Sequence, residues 1–460
     1  MLAINALTLL KYLAGIAMSV VLLAPLLVAL MDWNLMRAPI GRWVSEATGR
    51  TFVINGDLSV NLGLPPRIVV NDLVLGNAAW SDKPSMLEIK RLDLGLDIYR
   101  SLTTGLAFTD IALTSPHVVL EMSREGKPNW VLNDQKTDQV VSFPVIDALT
   151  IDDGSVSYLD PSLNTDIQFE LKTREGDRKN HALTLEIDGK GRFKGLPTTL
   201  HALGGRLLSL RSEETPYPIK ANGVLGKTRV SIEGMLLDPL SFKGQQLNFT
   251  LAGNDMSSLF PVIGVPFPPT PPYRLAGFLD HIDNVWTFSR FKGVVGESDI
   301  AGNFAVDRNK QPQMITANLV SGQLLMKDLG GFIGADRGAQ PSITAAANDR
   351  VLPAEKFSLE KLAAANADVH FRGEKIISEN TPLNNMTAHL VITDGKLKLT
   401  PLDFGVAGGN LVSYIEMDSR KSPIVTHADI TAKGLHLAQL FPGSSLAAAD
   451  TGTMGGRAKL

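Results

Sequence analysis

Residues 86–100, "MLEIKRLDLGLDIYR", carry an apolar side chain at nearly every second position. Leu87 and Ile89 precede a slip at Lys90 and Arg91, after which the alternation resumes. A period of two is that of a β-strand with one apolar and one polar face, and the slip predicts a β-bulge that restores the alternation. The predicted apolar face consists of Leu87, Ile89, Leu92, Leu94, Leu96 and Ile98, with Asp93, Asp97 and Tyr99 on the polar face.

The same period recurs along most of the chain from residue 51 onward, for example in "RIVVNDLVLGN" (67–77) and "KLKLTPLDFGV" (396–406). Turn-forming Gly, Asn, Asp and Pro separate these runs. Little of the sequence has the period of a helix long enough to cover the apolar faces. We therefore expect a mainly β fold, in which an elongated, strongly bent antiparallel sheet with short helical turns forms a hydrophobic groove.

Composition limits the classes of function. The chain has 460 residues, of which 44% are hydrophobic but only 6% aromatic, so its apolar surface is mostly aliphatic. The net charge is −3 with no basic block, which argues against nucleic acid as a partner. Since there are no cysteines, disulfides, thiolate metal sites and cysteine nucleophiles are excluded.

The N-terminus predicts a membrane anchor. Residues 12–31, "YLAGIAMSVVLLAPLLVALM", contain no charge and are long enough to span a bilayer as a helix. The alternative is a cleaved signal peptide, but the apolar run is long and no small-residue cleavage site closely follows it. Residues 1–11 would then be the cytoplasmic N-terminus, although the flanking charges by themselves leave the orientation open.

Three further regions follow the predicted anchor. Residues 32–50 predict a short amphipathic helix, with Met36, Ile40, Trp43, Val44 and Ala47 on one face. Residues 51–220 form an N-terminal β-groove region. Residues 221–460 form a repeated β-groove region that we expect to be truncated at its C-terminal end.

The repeat consists of glycine, aspartate, glycine and leucine at nearly constant spacing. Its three copies contain Gly226, Asp238, Gly253 and Leu259; Gly296, Asp307, Gly322 and Leu329; and Gly408, Asp418, Gly434 and Leu440. We expect each copy to contain two or three strands that end in a short helical turn, and stacked copies to make an elongated sheet.

No pattern predicts catalysis. "ANGVLGKT" (221–228) has Ala221 where a phosphate-binding loop needs its first glycine, and a strand-like run follows it. "GKGRFKG" (189–195) lacks the strand–helix setting of a dinucleotide site, and adjacent Asp152 and Asp153 would point to opposite faces of a strand. The histidines do not form a helical metal-ligand pair. We therefore expect no cofactor, no metal and no enzymatic activity.

Residues 32–80 contain "SEATGR", "GDLSV" and "LGNAAW" in order after the predicted anchor. In this the stretch resembles the opening of AsmA family proteins. "PPY" with "GFLD" near 271–280 and "VVGESDIAGNFAVD" (294–307) resemble later parts of that family. The C-terminal portion that such proteins usually carry is missing from the resemblance.

The resemblance implies a single-pass bacterial inner-membrane protein with its body in the periplasm. It also implies kinship with chorein-type bridge-like lipid-transfer proteins, in which a long β-sheet forms a hydrophobic groove, and a role in outer-membrane biogenesis. The expected partners are phospholipid acyl chains and the inner membrane, with outer-membrane or periplasmic proteins left open.

The apolar strand faces are compatible with this role. Leaving them in water costs about 25 cal/mol per Å², whereas acyl chains could cover them at about 0.8 kcal/mol per buried CH₂. The six apolar residues of 86–100 are therefore the candidate lipid-groove residues. The alternative is a non-enzymatic assembly factor or scaffold for outer-membrane protein insertion, whose sheet closes into a filled sandwich or binds protein along strand edges.

Overall fold

A computed structural model describes the structure. It covers residues 31–103, 105–132, 145–174, 184–208, 216–239, 241–265, 267, 269–329, 365–378, 383–420, 425–440 and 452–460. The predicted cytoplasmic N-terminus at 1–11, and all of the predicted anchor except Met31, lie outside the described residues. Within these ranges, none of the helices combines the length and apolar character needed to cross a membrane.

The chain divides into two compact units. The N-terminal unit comprises Met1–Gly195 with Thr199–Leu210, and the C-terminal unit comprises Leu196–Thr198 with Arg211–Leu460. Most described residues of both units lie in strands, so the prediction of a mainly β fold with few short helices is confirmed.

In the N-terminal unit a 3₁₀ turn, Trp33–Met36, continues into helix α1 (Arg37–Thr48), and α2 spans Ile98–Thr103. The strands are β1 (Phe52–Ile54), β2 (Leu58–Asn61), β3 (Arg67–Gly76), β4 (Ser85–Leu96), β5 (Ala107–Glu121), β6 (Val145–Ile146), β7 (Leu149–Asp152), β8 (Gly154–Asp160), β9 (Thr165–Thr173), β10 (Leu185–Phe193) and β11 (Leu196–Gly204).

Strand pairing in this unit is mixed. Both β1 and β2 pair with β3, and β3–β4–β5 continue antiparallel. β5 then pairs in parallel with β6, β7 and β8, after which β8–β9–β10 are antiparallel. The expectation of an antiparallel sheet therefore holds for most strand pairs, but the parallel pairs of β5 make the sheet mixed, because the chain returns to the side of β5 in the same direction.

The expectation that no helix covers the opening stretch is also wrong. Five buried side chains form a core cluster, and Trp33, Met36 and Ile40 of the 3₁₀ turn and α1 pack against it. The five are Ile54, Leu58, Val70, Leu73 and Ile89. The predicted apolar face of α1 is only partly used, because Trp43 is exposed and Met36 and Ile40 suffice to cover the sheet.

The break in the alternation at Lys90 and Arg91 is not caused by a β-bulge in β4. The register from Leu75↔Leu87 to Arg67↔Gly95 is continuous, so β4 has no extra residue there. Instead Asp72 and Ser115, in the neighbouring strands at the level of Lys90, adopt left-handed backbone angles, φ 49° and 47°. In all three strands the alternation of side chains between the two faces therefore shifts by one residue at the same level. Because of this shift, Ile89 and Leu92 both contact one cluster.

In the C-terminal unit the described helical turns are 3₁₀ Met256–Leu259 with α3 (Phe260–Ile263), 3₁₀ Met326–Leu329 and α4 (Leu437–Leu440). The strands are β12 (Tyr217–Leu225), β13 (Thr228–Asp238), β14 (Lys243–Gly253), β15 (Tyr273–Ile282), β16 (Val285–Val295), β17 (Ser298–Asp307), β18 (Gln313–Leu325), β19 (Ala365–Ile377), β20 (Leu383–Thr393), β21 (Lys396–Val406), β22 (Gly409–Asp418), β23 (Val425–His436) and β24 (Thr453–Lys459). Consecutive strands from β12 to β24 pair antiparallel, except that β18 and β19 are parallel.

The three repeat copies share one order of elements. Gly226, Gly296 and Gly408 occupy tight turns at φ 60°, 65° and 77°, a backbone conformation that glycine adopts without strain. Each turn leads into a strand that ends at the repeat aspartate, and a second strand then leads into a helical turn. The repeat is thus a two-strand unit closed by a helical turn.

Candidate functional site

The six candidate residues of 86–100 fall into three environments. Leu87, Ile89 and Leu92 belong to the core cluster beneath Trp33, Met36 and Ile40, so protein side chains already cover them. Leu94 and Leu96 lie further along β4 and are half-buried. Leu94 aligns with Ile68 of β3 and Ile111 of β5, which extends an apolar face past the cluster.

Ile98 does not share this strand face, contrary to the prediction. β4 ends at Leu96, and the Asp97 carboxylate accepts a hydrogen bond from the backbone N–H of Arg100 at 2.9 Å, which caps α2. Ile98 and Tyr99 therefore lie in a helix and are exposed. Lipid binding by the six residues stays a prediction.

An ion cluster lies on the opposite face of the same strands. The Arg67 guanidinium contacts Asp93 at 2.7 Å and Asp110 at 2.7 Å. These ion pairs cross β4 at Gly95, where an added Cβ would collide with the Asp110 carboxylate. The hydrogen bond from Arg67 holds the pKa of Asp110 below its usual value. The cluster ties β3, β4 and β5 together from the polar side.

This cluster predicts a pH dependence of stability. Because the folded-state pKa of Asp110 is lowered, its stabilising contribution is complete above its unfolded-state pKa of about 4 and is lost as pH falls through the lower folded value. We expect Asp110→Asn to flatten the loss of stability between about pH 5 and pH 2. Urea unfolding across this range measures it, and an unchanged pH profile in the variant would show that the ion pair contributes nothing.

The C-terminal unit contains a longer apolar surface, which we call the apolar stripe. One residue from each strand from β14 to β23 is directly paired with the next across the sheet. The stripe residues are Leu247, Leu279, Phe288, Phe304, Ala317, Val369, Leu390, Leu399, Ile415 and Ala428. Since directly paired residues have their side chains on the same face of a sheet, all ten lie on one face.

The stripe is flanked on each side by a further row of cross-strand paired residues on the same face of the sheet, and the two rows differ in the side chains that pack on them. On one side, the neighbouring row packs against Ile263, Val265 and Phe267, the segment that includes the end of α3; this row consists of Trp286, Val306, Ile315, Ala367 and Ile392. Two stripe residues, Phe304 and Val369, pack against the same cluster, and the ring of Phe304 lies 6.0 Å from that of Phe267. On the other side the next row includes Gly277 and Gly302, which pair with Phe249 and Leu319. Most stripe residues, including every one from Val369 to Ala428, are half-buried.

The opposite face of this sheet is polar. Lys398 and Glu416, which neighbour the stripe residues in sequence, form an ion pair at 2.9 Å. Asp368 contacts His389 at 2.9 Å and His370 at 3.4 Å across β19 and β20. The sheet is therefore amphipathic, with these ion-paired groups on the face away from the stripe.

Two surface clusters have metal-ligand chemistry that sequence reasoning missed. Asp368, His370 and His389 bring one carboxylate and two imidazoles within 4.8 Å, and Glu186, Asp188 and His201 form a second group. Each combines residues from two strands, so no spacing along the chain indicates it. The ion pairs in these groups also account for them as ordinary contacts between strands.

Sequence reasoning also missed the apolar stripe. Each strand shows the alternation that places its stripe residue on an apolar face, for example Leu397 and Leu399 in "KLKLT". Which residues align across ten strands depends on the register, including shifts between Phe288 and Phe291 in β16 and between Leu399 and Leu402 in β21. Those shifts could not be located from the period alone.

The two units therefore define a class of β-sheet protein with extended apolar faces and polar reverse faces. The model of the AsmA family matches residues 8–199 and 198–460, and the chain belongs to the AsmA family. It is similar to AsmA family protein YhjG of Escherichia coli (strain K12), with 28% identity over 501 residues that cover 97% of this chain and 73% of the relative. No solved structure matches the chain.

Proposed function

We propose that this AsmA family protein binds lipid acyl chains on its apolar stripe and supports phospholipid transport in outer-membrane biogenesis. The observation that carries the proposal is the unbroken alignment of ten apolar positions across ten strands. The row also differs from a closed core, because its five residues from Val369 to Ala428 are all half-buried.

The dimensions of the stripe suit an acyl chain. Nine steps between neighbouring strands at about 4.8 Å make the whole row about 43 Å long, but Leu247, Leu279 and Ala317 are buried. The half-buried run from Val369 to Ala428 spans four steps, about 19 Å, longer than one leaflet of a hydrocarbon core that is about 30 Å thick. The half-buried stripe residues offer apolar area along this path. A lipid tail could lie along the stripe while its head group stays in water.

The energetics allow exchange with a membrane. Each CH₂ that leaves water for an apolar surface contributes about 0.8 kcal/mol, so a tail on the stripe is stable against release into water. The same tail has nearly the same free energy in a bilayer. Movement between bilayer and stripe is therefore nearly balanced, which transport requires and tight storage does not.

The proposed location follows from the N-terminal sequence. Residues 12–31 anchor the protein in the inner membrane, and the body lies in the periplasm. The uncharged run supports the anchor, and family membership supports the orientation. Acyl chains could then enter from the membrane in which the protein is anchored.

Site-specific photo-crosslinking in cells tests the proposal. A benzophenone amino acid at Ile415, in the stripe, should yield phospholipid adducts that mass spectrometry identifies. The matched control is Tyr414, the preceding residue of β22, which is exposed on the opposite face. We expect adducts at position 415 well above those at 414.

The same experiment separates the two candidate classes. Protein adducts at position 415 in place of lipid adducts would favour an assembly factor that binds polypeptide. Equal lipid labelling at positions 414 and 415 would show that the stripe has no preference for lipid and would contradict the proposal.

A further inference from the structure

Six large apolar side chains are exposed together at one end of the N-terminal unit, and we call this group the apolar rim. The rim consists of Leu62, Leu64, Ile98, Tyr99, Leu102 and Leu106. Leu62 and Leu64 lie in the loop between β2 and β3, and the other four lie in and after α2. Their exposures range from 44% at Leu62 to 101% at Leu64.

Backbone hydrogen bonds join the two parts of the rim. The N–H of Leu96 donates to the Pro66 carbonyl at 2.8 Å, and the N–H of Asp97 donates to the Ala107 carbonyl at 3.0 Å. The loop and α2 are thus held side by side where β3 and β5 begin and β4 ends. A group of exposed apolar residues of this kind marks a contact site in a soluble body.

The first described residues after the predicted anchor lie towards the same end of the unit. The last turns of α1 lie near Asn77, which Arg50 contacts. At its other end, Asn34 accepts a hydrogen bond from the N–H of Leu58 at 3.0 Å. α1 therefore runs along the sheet, and the 3₁₀ turn before it, which closely follows the end of the apolar run at Met31, contacts β2.

We infer that the apolar rim inserts into the interface of the membrane that holds the anchor. The inference rests on the anchoring proposed above and adds a second membrane contact, which fixes how the N-terminal unit stands on the bilayer. The partner is lipid, because an uncharged run long enough to span a bilayer ends three residues before Asn34, and Asn34 contacts β2, the strand that leads directly into Leu62 of the rim.

The charges around the rim fit this partner. Arg100, the basic residue of α2, is paired with Asp147 at 2.8 Å and with Asp97 at 3.5 Å. An ion-paired arginine among leucines can lie at head-group depth without leaving an isolated charge in the hydrocarbon. Tyr99 has the amphipathic ring that is enriched at membrane interfaces.

The absence of cysteine from the chain makes a direct test possible. Leu64→Cys and Leu102→Cys, each made in the full chain, carry an environment-sensitive nitrobenzoxadiazole label. The labelled protein is reconstituted into phosphatidylethanolamine–phosphatidylglycerol vesicles with and without nitroxide-labelled lipid. The matched control is Leu163→Cys, another exposed leucine in the turn between β8 and β9, beyond the other end of β5.

We expect blue-shifted emission and several-fold stronger quenching by nitroxide lipid at positions 64 and 102 than at 163. Protein that floats with the vesicles but shows equal, weak quenching at all three positions would overturn the rim contact while leaving the anchor intact. Protein that does not float with the vesicles would overturn the anchoring and this inference together. Quenching at 64 and 102 that disappears in a Leu62→Asp, Leu106→Asp background would confirm that the rim acts as one surface.

Discussion

Lipid bound per protein should fall by more than about tenfold when Val369 and Leu399 are both replaced by aspartate, since each tenfold step needs only about 1.4 kcal/mol. Both residues are half-buried members of the apolar stripe, and Leu390 lies between them in the register. A carboxylate at position 399 would not pair with the adjacent Lys398, which faces the opposite side and is paired with Glu416. The double variant Val369→Asp, Leu399→Asp therefore interrupts the stripe in the middle.

The loss has a specific physical cause. A carboxylate against an acyl chain either keeps its charge, at a desolvation cost of several kcal/mol, or takes up a proton with a raised pKa. Two such groups would oppose any tail that crosses β19 to β21. We expect loss of bound phospholipid, measured by mass spectrometry of the purified protein, and weakened outer-membrane barrier function in cells.

The control carries the same two charges on the opposite face. Thr250 and Asn318 are exposed in β14 and β18, so the variant Thr250→Asp, Asn318→Asp should fold and bind lipid like the parent. Protein levels and unfolding midpoints are compared for all variants. If the stripe variant is folded and retains the lipid of the parent, the stripe is not the binding surface.

A second large effect is expected at Asn129, in the N-terminal unit. Its side chain is fully buried, accepts from the N–H of Glu121 at 2.9 Å and donates to the carbonyl of Val119 at 2.8 Å and to Oδ1 of Asn77 at 2.9 Å. Asn129→Leu would remove this partner from the N–H of Glu121 and the carbonyl of Val119, at about 1–3 kcal/mol each, whereas Oδ1 of Asn77 still accepts from the N–H of Ala78 at 2.8 Å. We expect the free energy of unfolding to fall by about 3–5 kcal/mol, measured by urea titration.

This network also gives a structural role to one of the sequence motifs on which the resemblance rests. Asn77, in "LGNAAW", donates to the Glu121 carboxylate at 3.2 Å, and its backbone carbonyl accepts from Arg50 at 3.3 Å. The motif therefore ties together the chain segments at the end of the sheet opposite the rim.

The control for Asn129→Leu is Asn61→Leu, on an exposed strand position, which should change the free energy of unfolding by less than about 0.5 kcal/mol. A similar effect of both variants would show that the buried network is not what stabilises this end.

The period of the sequence was sufficient to predict strands, apolar faces and the repeat. Alternation in "MLEIKRLDLGLDIYR" correctly places Leu87, Ile89 and Leu92 on an inward face, because side-chain direction in a strand is a local property. The turn glycines of the repeat were equally visible, since a left-handed turn conformation favours glycine in any context.

Only the tertiary structure decided what those faces contact. α1 reaches back over β1 to β4 and covers the inward residues of the opening stretch, while β4 ends early enough to place Ile98 in the exposed rim. The stripe exists because ten strands align their apolar positions, across a parallel pair at β18 and β19 and across several register shifts. Pairing between strands that are distant in sequence is set by the packing of the whole sheet. The alternation within each strand therefore determined that an apolar face exists, and the register determined that those faces join into one surface.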